Sequence, residues 1–462
     1  MSKKVCVVGL GYVGLPLAAL CATKGYQVVG LDTNKVVVDI INSGNSHIRD
    51  TEVDRLVKDA HLTNNLIATT RPEDISACTH FLICVPTPVN ENYDPDLTPL
   101  YSAVDAIAPF VKKNDMVVLE STVFPGTCEQ EVIPRLNALT NMKAGVDYHM
   151  AYCPERVNPG DDFWSSENIP RVVGATSDAG VEEAASFYNS ILGGGIFDID
   201  DIRSLFKNKF IKESNGSLKI AQVALGSVTK MHSIRDAEAV KAMENTVRDV
   251  NIAFVNELAK ISDVLGLDVV DIIDGMATKP FGKGPFYPGI GVGGHCIAVD
   301  PEWLKAASKK AGYMPEIIQL ARFTNNGMPN YSISLLQNLL NECELPLKGT
   351  NVLVLGVAYK KNVDDPRESP FYEVKNLLKL KGAIIDVYDS WIGFENTVQS
   401  LQDGLKKAKA LLIVTEHTDT ITELKNLDLS KSPLRVIVDG RNCLNAKSVI
   451  NQGILYSGIG RS

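Results

Sequence analysis

Four glycines crowd the stretch Phe286-Tyr287-Pro288-Gly289-Ile290-Gly291-Val292-Gly293-Gly294-His295-Cys296, and Asp300-Pro301 follows closely. A loop with Tyr287, Gly289, Gly291 and Gly293 along its length can wrap tightly round a ligand and present the Cys296 thiol at its end. Cys296 is thus a candidate nucleophile, against the plainer reading of a small buried hydrophobe. Asp300-Pro301-Glu302 has the form of a helix N-cap followed by proline at the first helical position, which makes Asp300 a capping candidate. His295 adjoins the thiol and is read as structural.

A second chemistry-bearing stretch is Gly9-Leu10-Gly11-Tyr12-Val13-Gly14, which follows a β-branched run and opens an apolar helix, with Asp32 placed 18 residues after Gly14. Gly9 permits the tight turn, Gly11 lets backbone approach a pyrophosphate at the helix N-terminus, and Gly14 allows close packing of helix on strand. Asp32 would accept hydrogen bonds from an adenosine ribose, and its charge favours NAD over NADP. Cys84-Val85-Pro86-Thr87-Pro88 and Glu120-Ser121-Thr122 fall at two further strand ends on the same sheet edge, where hydroxyls and restrained prolines can hold the nicotinamide side of the cofactor or a water. Lys241 and Asn245 lie four apart on one helix face and could orient an alcohol or stabilise an oxyanion. Glu155, within Tyr152-Cys153-Pro154-Glu155-Arg156-Val157-Asn158-Pro159-Gly160, could act as acid or base, or simply pair with Arg156.

The elements that must position these residues are legible in outline. Short β-branched runs at 5–8, 27–31, 80–85, 116–119 and 148–152 alternate with helical patterns, which indicates a parallel doubly wound sheet. Apolar residues then recur at three- and four-residue steps over 236–265, reading as one long helix that joins domains or packs on its copy in a homodimer. Strand patterns restart at 351–355, 383–388, 410–414 and 435–438. The expected class is α/β, with two Rossmann-like doubly wound domains joined by a long central helix and a small helical domain. The boundaries are 1–230, 231–335 and 336–462. Val352-Leu353-Val354-Leu355-Gly356 echoes Val5-Cys6-Val7-Val8-Gly9 but lacks the downstream glycines, so its ligand should differ.

Composition narrows the function classes. The 462 residues carry 46 bases against 55 acids, a net charge of −9, which gives no electrostatic footprint for nucleic acid or an anionic membrane. Nine cysteines with no metal-type spacing suggest reduced thiols in a cytoplasmic protein without a metal site. The uncharged run after Lys3-Lys4 contains three glycines and Pro16, so it is assigned to strand, turn and helix rather than to a signal or membrane segment.

Taken together, these motifs resemble the nucleotide-sugar 6-dehydrogenases, the family of UDP-glucose, GDP-mannose and UDP-N-acetylhexosamine dehydrogenases. Gly9 through Pro16, Glu120-Ser121-Thr122, the loop to Cys296, Asp300, Tyr359-Lys360 and Arg367-Glu368-Ser369 stand in the family order. The resemblance implies Cys296 as nucleophile, Lys241 and Asn245 as alcohol or oxyanion partners, Glu155 in thioester hydrolysis, and Thr122 and Asp300 in orienting water. It also implies that Tyr359, Lys360 and Arg441 hold UDP and that Arg367 reaches the cofactor or the interdomain cleft. The segment Pro154 to Gly160 is similar to that of enzymes for UDP-N-acetylated hexosamines. It favours UDP-N-acetylglucosamine, with the manno and galacto isomers and UDP-glucose as alternatives, in the supply of surface polysaccharide or glycan precursors. A two-electron hydroxyacid-type dehydrogenase and a non-catalytic NAD sensor are the competing readings.

Three positions depart from the family pattern. Val37 stands where a basic residue is common, leaving Lys35 to contact adenosine. Ile290 replaces a usual proline. Residues 193–226 look inserted and are read as a surface excursion.

Overall fold

The computed structural model describes residues 3–89, 95–157, 163–207, 210–212, 218–220, 222–279, 285–294 and 296–461. Two compact units result, Met1–Glu244 and Asn245–Ser462, the boundary falling inside the helix Ile234–Leu265.

In the first unit the strands are β1 (Lys4–Val8), β2 (Gln27–Leu31), β3 (Leu66–Thr69), β4 (His80–Ile83), β5 (Met116–Leu119), β6 (His149–Tyr152), β7 (Arg171–Ala175), β8 (Ile196–Asp198), β9 (Phe210–Lys212), β10 (Leu218–Ile220) and β11 (Val228–Lys230). Nine of them form one sheet in the order β3-β2-β1-β4-β5-β6-β7-β11-β8, parallel throughout except where β6 meets β7. β9 and β10 make a separate antiparallel pair. Every residue of β4 and β5 is buried, as expected for strands covered on both faces. Chain order reverses between β1 and β4, and a sheet of this kind binds ligands beyond the strand ends at such a point.

The 193–226 segment is not only a surface excursion. β8 is built into the edge of the main sheet, paired with β11 from Ile196 to Asp198, and the Gly194 N–H donates to the Gly226 carbonyl at 3.1 Å. A three-residue strand leaves no periodicity to read, so the sequence did not reveal it.

The second unit carries β12 (Asn351–Leu355), β13 (Ile384–Tyr388), β14 (Ala410–Ile413), β15 (Val436–Asp439) and β16 (Leu455–Gly458) in the order β13-β12-β14-β15-β16, all parallel. Val352, Val354, Phe371 and Leu412 pack on one face, and Leu353, Leu355, Leu411 and Ile437 on the other. The long helix is continuous over 32 residues. It carries buried polar residues among its apolar ones, Glu238 and Lys241 in the first unit and Asp249 and Asn256 in the second. Among the described residues no helix is long and apolar enough to cross a membrane.

Candidate active site

β1 ends at Gly9, with φ of +86° and its N–H donating to the Leu31 carbonyl at 2.8 Å. A Cβ on Gly14 would lie 1.8 Å from the Gly9 carbonyl oxygen, so no other residue lets the helix Gly14–Thr23 start so close to the strand. At Gly11 an added Cβ meets nothing within 4 Å, leaving the approach to the turn open. The helix has no side-chain cap and no acid in its first turn, so its terminal amides suit an anion. Tyr12 and Val13 are half-buried on the turn. Asp32 Oδ2 accepts from Leu10 N and Oδ1 from Asn34 N, each at 2.8 Å, which fixes a half-buried carboxylate beside the turn. The arrangement fits a dinucleotide. Lys35 is engaged by Asp39 at 2.7 Å on the exposed surface, and Val37 packs against the core.

The next two strand ends are tied together. Thr87 Oγ1 donates to the Thr122 carbonyl at 2.6 Å, and Ser121 Oγ to the Val85 carbonyl at 2.7 Å, with Pro86 exposed between. After β6, Glu155 does not pair with Arg156. Its Oε1 accepts the backbone N–H groups of Arg156 and Val157 at 2.6 and 2.7 Å, and its Oε2 accepts from Arg171. The Arg156 guanidinium instead takes Glu244 and the Pro170 carbonyl, the latter at 2.8 Å. Sequence reasoning missed Arg171, whose only local signal is a charge heading an apolar strand. Asn158, Pro159 and Gly160 lie outside the described residues.

Within the first-unit part of the long helix, Glu238 accepts the backbone N–H groups of Gly126 and Cys128, holding the turn after Thr122. Burial pushes Glu238 up against the pull of those amides. Lys241, one turn on, is 9% exposed. A lysine so largely buried is suited to a ligand anion or a developing oxyanion.

In the second unit, Asn245 Nδ2 donates to Asp300 Oδ2. Asp300 is therefore not the N-cap its sequence suggested. The helix Asp300–Lys310 begins on it, Val299 holds the cap position without a side-chain bond, and the Asp300 N–H donates to the Cys296 carbonyl at 2.8 Å. Cys296 is half-buried in the turn before this helix; His295 lies outside the described residues.

The glycine loop is held from several sides. A Cβ on Gly293 would fall 2.8 Å from the Tyr359 Cβ, one on Gly294 2.9 Å from the Tyr359 ring, and one on Gly289 2.6 Å from Arg441 Nη1. The Gly294 N–H donates to the Arg367 carbonyl at 3.1 Å, and Gly291 passes close to Asn325 and Pro370. Burial, with the charges of Asp365 and a Cys296 thiolate, pushes the Tyr359 phenol up to about 12, with Arg367 and Arg248 pulling the other way. Ile290 is fully buried in the core of the second sheet and packs on Gly440. Arg441 Nε donates to the Val414 carbonyl at 2.7 Å, Lys360 is half-buried, and the Arg367 guanidinium grips Asp365 with its closest contact at 2.6 Å. Tyr287 is 50% exposed, its hydroxyl donating to Asp274 at 2.6 Å.

Beneath the loop runs a buried polar chain that sequence reasoning also missed. Arg322 and Asn325 each donate to Asp249 Oδ1 at 2.8 Å, Asn256 donates to Asn325 Oδ1 at 2.9 Å, and the Gly289 N–H donates to Asn256 Oδ1 at 2.9 Å. Asp249 and Asn256 are seven apart on the long helix, a spacing that puts them on one face. Among the described residues no group of three His, Cys, Asp or Glu side chains could hold a metal ion.

These features agree with comparison to known proteins. The UDP-glucose/GDP-mannose dehydrogenase family's NAD binding domain matches residues 3–192, its central domain 235–327 and its UDP binding domain 353–446. The chain belongs to the UDP-glucose/GDP-mannose dehydrogenase family. It is an NAD-dependent UDP-sugar dehydrogenase, and the matched stretches leave residues 193–234 between them. It is 34% identical over 462 residues to the UDP-N-acetyl-D-mannosamine dehydrogenase of Pyrococcus horikoshii, covering 99% of each chain. To the UDP-N-acetyl-D-glucosamine 6-dehydrogenase of Pseudomonas aeruginosa it is 34% identical over 397 residues, 86% of this chain and 84% of the other. The solved structure of a UDP-D-ManNAc dehydrogenase from Pyrococcus horikoshii aligns with TM-score 0.86 at 33% identity, covering 99% of each chain.

Proposed function

We propose that this enzyme oxidises C6 of a UDP-N-acetylhexosamine from alcohol to carboxylate, removing four electrons through a thiohemiacetal and a thioester on Cys296. The observation that supports it best is the glycine loop drawn onto Tyr359 and Arg441, with Cys296 near enough to Tyr359 for its charge to act on the phenol. Residues 1–230 would form the NAD-binding domain, 231–335 the central helical domain and 336–462 the UDP-sugar domain.

NAD, held at Gly9 to Gly14 and Asp32 with Pro86, Thr87, Thr122 and Arg367 contributing, accepts one hydride per molecule. One alcohol, two NAD and one water therefore give one carboxylate, two NADH and three protons. Between the two hydride losses the Cys296 thiolate adds to the aldehyde carbon, and a proton goes to the former carbonyl oxygen. Lys241 offsets the alkoxide charge, Asn245 holds the substrate oxygen, and Glu155 handles the hydrolytic water with Thr122 and Asp300 orienting it. Tyr359, Lys360 and Arg441 hold UDP, and Arg156, Tyr287, Gly289, Gly291 and Gly293 shape the sugar pocket.

The Pro154–Gly160 pattern favours the gluco isomer, and the Pyrococcus relative favours the manno isomer. A limiting-substrate titration with the gluco, manno and galacto isomers and UDP-glucose tests the reading. Two NADH per substrate and a carboxylate are expected with an N-acetylhexosamine; one NADH and an aldehyde or ketone would overturn it. Replacing Cys296 by Ser should lower turnover by at least about a thousandfold, whereas Glu155→Gln should accumulate an acyl adduct on Cys296 in intact-protein mass spectra.

A homodimer through the long helix belongs to the same proposal. Val247, Phe254 and Ile261 are each about half exposed and seven apart, which aligns them on one apolar face. Sedimentation should give a dimer that Phe254→Glu weakens. A cytoplasmic location suits an enzyme that draws on NAD and nucleotide sugar.

A further inference from the structure

Strand β7 opens with an arginine in an otherwise apolar run, and that arginine is 1% exposed. None of the roles proposed above uses a buried guanidinium. Arg171 sits between two carboxylates, its Nη1 donating to Glu120 Oε2 at 2.8 Å and its Nη2 to Glu155 Oε2. Its Nε has no hydrogen-bond partner among the described residues. The two acids are held very differently. Glu155 is at the rim, 13% exposed, with the Arg156 and Val157 amides on its other oxygen. Glu120 is 1% exposed, and the Tyr188 hydroxyl donates to its Oε1.

We propose that Arg171 is a positioning residue that couples Glu155 to the buried carboxylate Glu120, making hydrolysis of the thioester sensitive to the charge on Glu120. This rests on the reading of Glu155 as the group that handles the hydrolytic water. With both acids ionised the trio carries a net charge of −1, and Arg171 is shared. With Glu120 protonated the trio is neutral, and the guanidinium charge falls on Glu155 alone. Burial pushes Glu120 up to about 7; Arg171 pulls it down, the Glu155 charge adds to the upward push, and the Tyr188 hydroxyl pulls it down again. The other titratable groups facing it are the thiols of Cys21, Cys84 and Cys153, all raised by burial and therefore neutral. The trio therefore changes charge near neutral pH through an acid that does not itself meet substrate.

The consequence is specific to one step. In hydrolysis a water O–H bond breaks with its proton passing to Glu155, the oxygen bonds to the thioester carbon, and the C–S bond breaks to release Cys296 as thiolate. A proton is drawn more strongly to a site of net charge −1 than to a neutral one, so the step quickens as pH rises and Glu120 ionises.

The test uses the full-length enzyme in a single turnover with sugar nucleotide and NAD. Rapid quench and intact-protein mass spectrometry follow decay of the Cys296 adduct from about pH 5.5 to about pH 9. The unmutated enzyme should show a decay rate rising roughly tenfold through an inflection near neutrality. Glu120→Gln should decay at the slow rate without that inflection. Tyr188→Phe removes a bond that favours the ionised acid, so its inflection should move to higher pH with the same upper plateau. A folded Glu120→Gln protein that keeps the inflection overturns the proposal, as does a Tyr188→Phe profile that superimposes on the unmutated one; if Glu120→Gln fails to fold, Tyr188→Phe decides. An unmutated enzyme that forms no adduct and yields one NADH per substrate overturns the four-electron reading itself, and this proposal with it.

Discussion

In the first unit β1 gives way to Gly9 at φ +86°, and in the second β12 gives way to Gly356 at φ +92°. Each glycine N–H donates to the last carbonyl of the neighbouring strand, Leu31 or Tyr388, and an aspartate follows at once. From there the two turns diverge. Asp32 accepts from two backbone amides, stays half-buried and leaves capacity for another donor. Asp389 is 1% exposed and accepts from Val357, Ala358, Trp391, Ile392 and the His417 Nε2–H. The positions after the glycine differ as well, Gly11 being open where Ala358 is buried with its N–H consumed. A strand, a glycine turn and a terminal acid therefore do not define a ribose site; the acid's unspent acceptors do.

The largest effect should come from breaking the saturated acid. Asp389→Asn turns one of the two acceptor oxygens into a donor, so it strands either the Trp391 and Ile392 amides or the Val357 and Ala358 amides with His417, and denaturant unfolding should show a loss of roughly 3–5 kcal/mol with KM for NAD unchanged. The same carboxyl carries a pH signature. Burial pushes it up, but His417 and the Val357 and Ala358 amides outweigh that and hold it well below the usual carboxylate range. Its folded value lies below its unfolded value, so its stabilisation is present above about pH 4 and lost as pH falls further. Thermal melts of the unmutated enzyme should therefore drop below about pH 4 more steeply than those of Asp389→Asn.

Asp32→Asn should do the reverse. Melting should scarcely move, while KM for NAD rises about tenfold to a hundredfold and discrimination against NADP relaxes, read from initial rates with both cofactors. Smallest is Gly11→Ala. Its Cβ has free space in the protein, so stability should hold, but it intrudes where a pyrophosphate would lie and should raise KM for NAD by roughly five- to tenfold. A Gly11→Ala enzyme with unchanged KM would break the comparison, because the open turn would then not be the binding turn.

What the sequence disclosed was whatever is local in the chain. Gly9, Gly11, Gly14 and Asp32 announce their turn within 24 residues, and the long helix announces itself by period. The partners of the reactive groups are distant instead. Arg171 is 51 residues from Glu120 and 16 from Glu155, and the Glu155–Arg156 pairing suggested by adjacency gave way to it. The capping reading of Asp300 failed for a related reason: its carboxylate is engaged by Asn245, 55 residues away, and a proline at the next position cannot reveal that. The chain from Arg322 to the Gly289 amide was hidden because polar residues on a mostly apolar helix read as solvated until their neighbours are known.

One feature of the first sheet bears on what this scaffold could be made to carry. Residues 193–226 leave and re-enter through a neck closed by the Gly194–Gly226 hydrogen bond, so tight that a Cβ on Gly194 would fall 2.0 Å from the Leu225 carbonyl oxygen. Just past the neck, β11 is registered on β7 with Val228 opposite Arg171. A chain that is already pinched shut resembles a graft with its suture in place. Material spliced beyond the pinch adds little closure entropy, about 0.6 kcal/mol for each doubling of length. A reporter peptide or an affinity handle inserted there would ride outside the neck and leave the register of β7 intact.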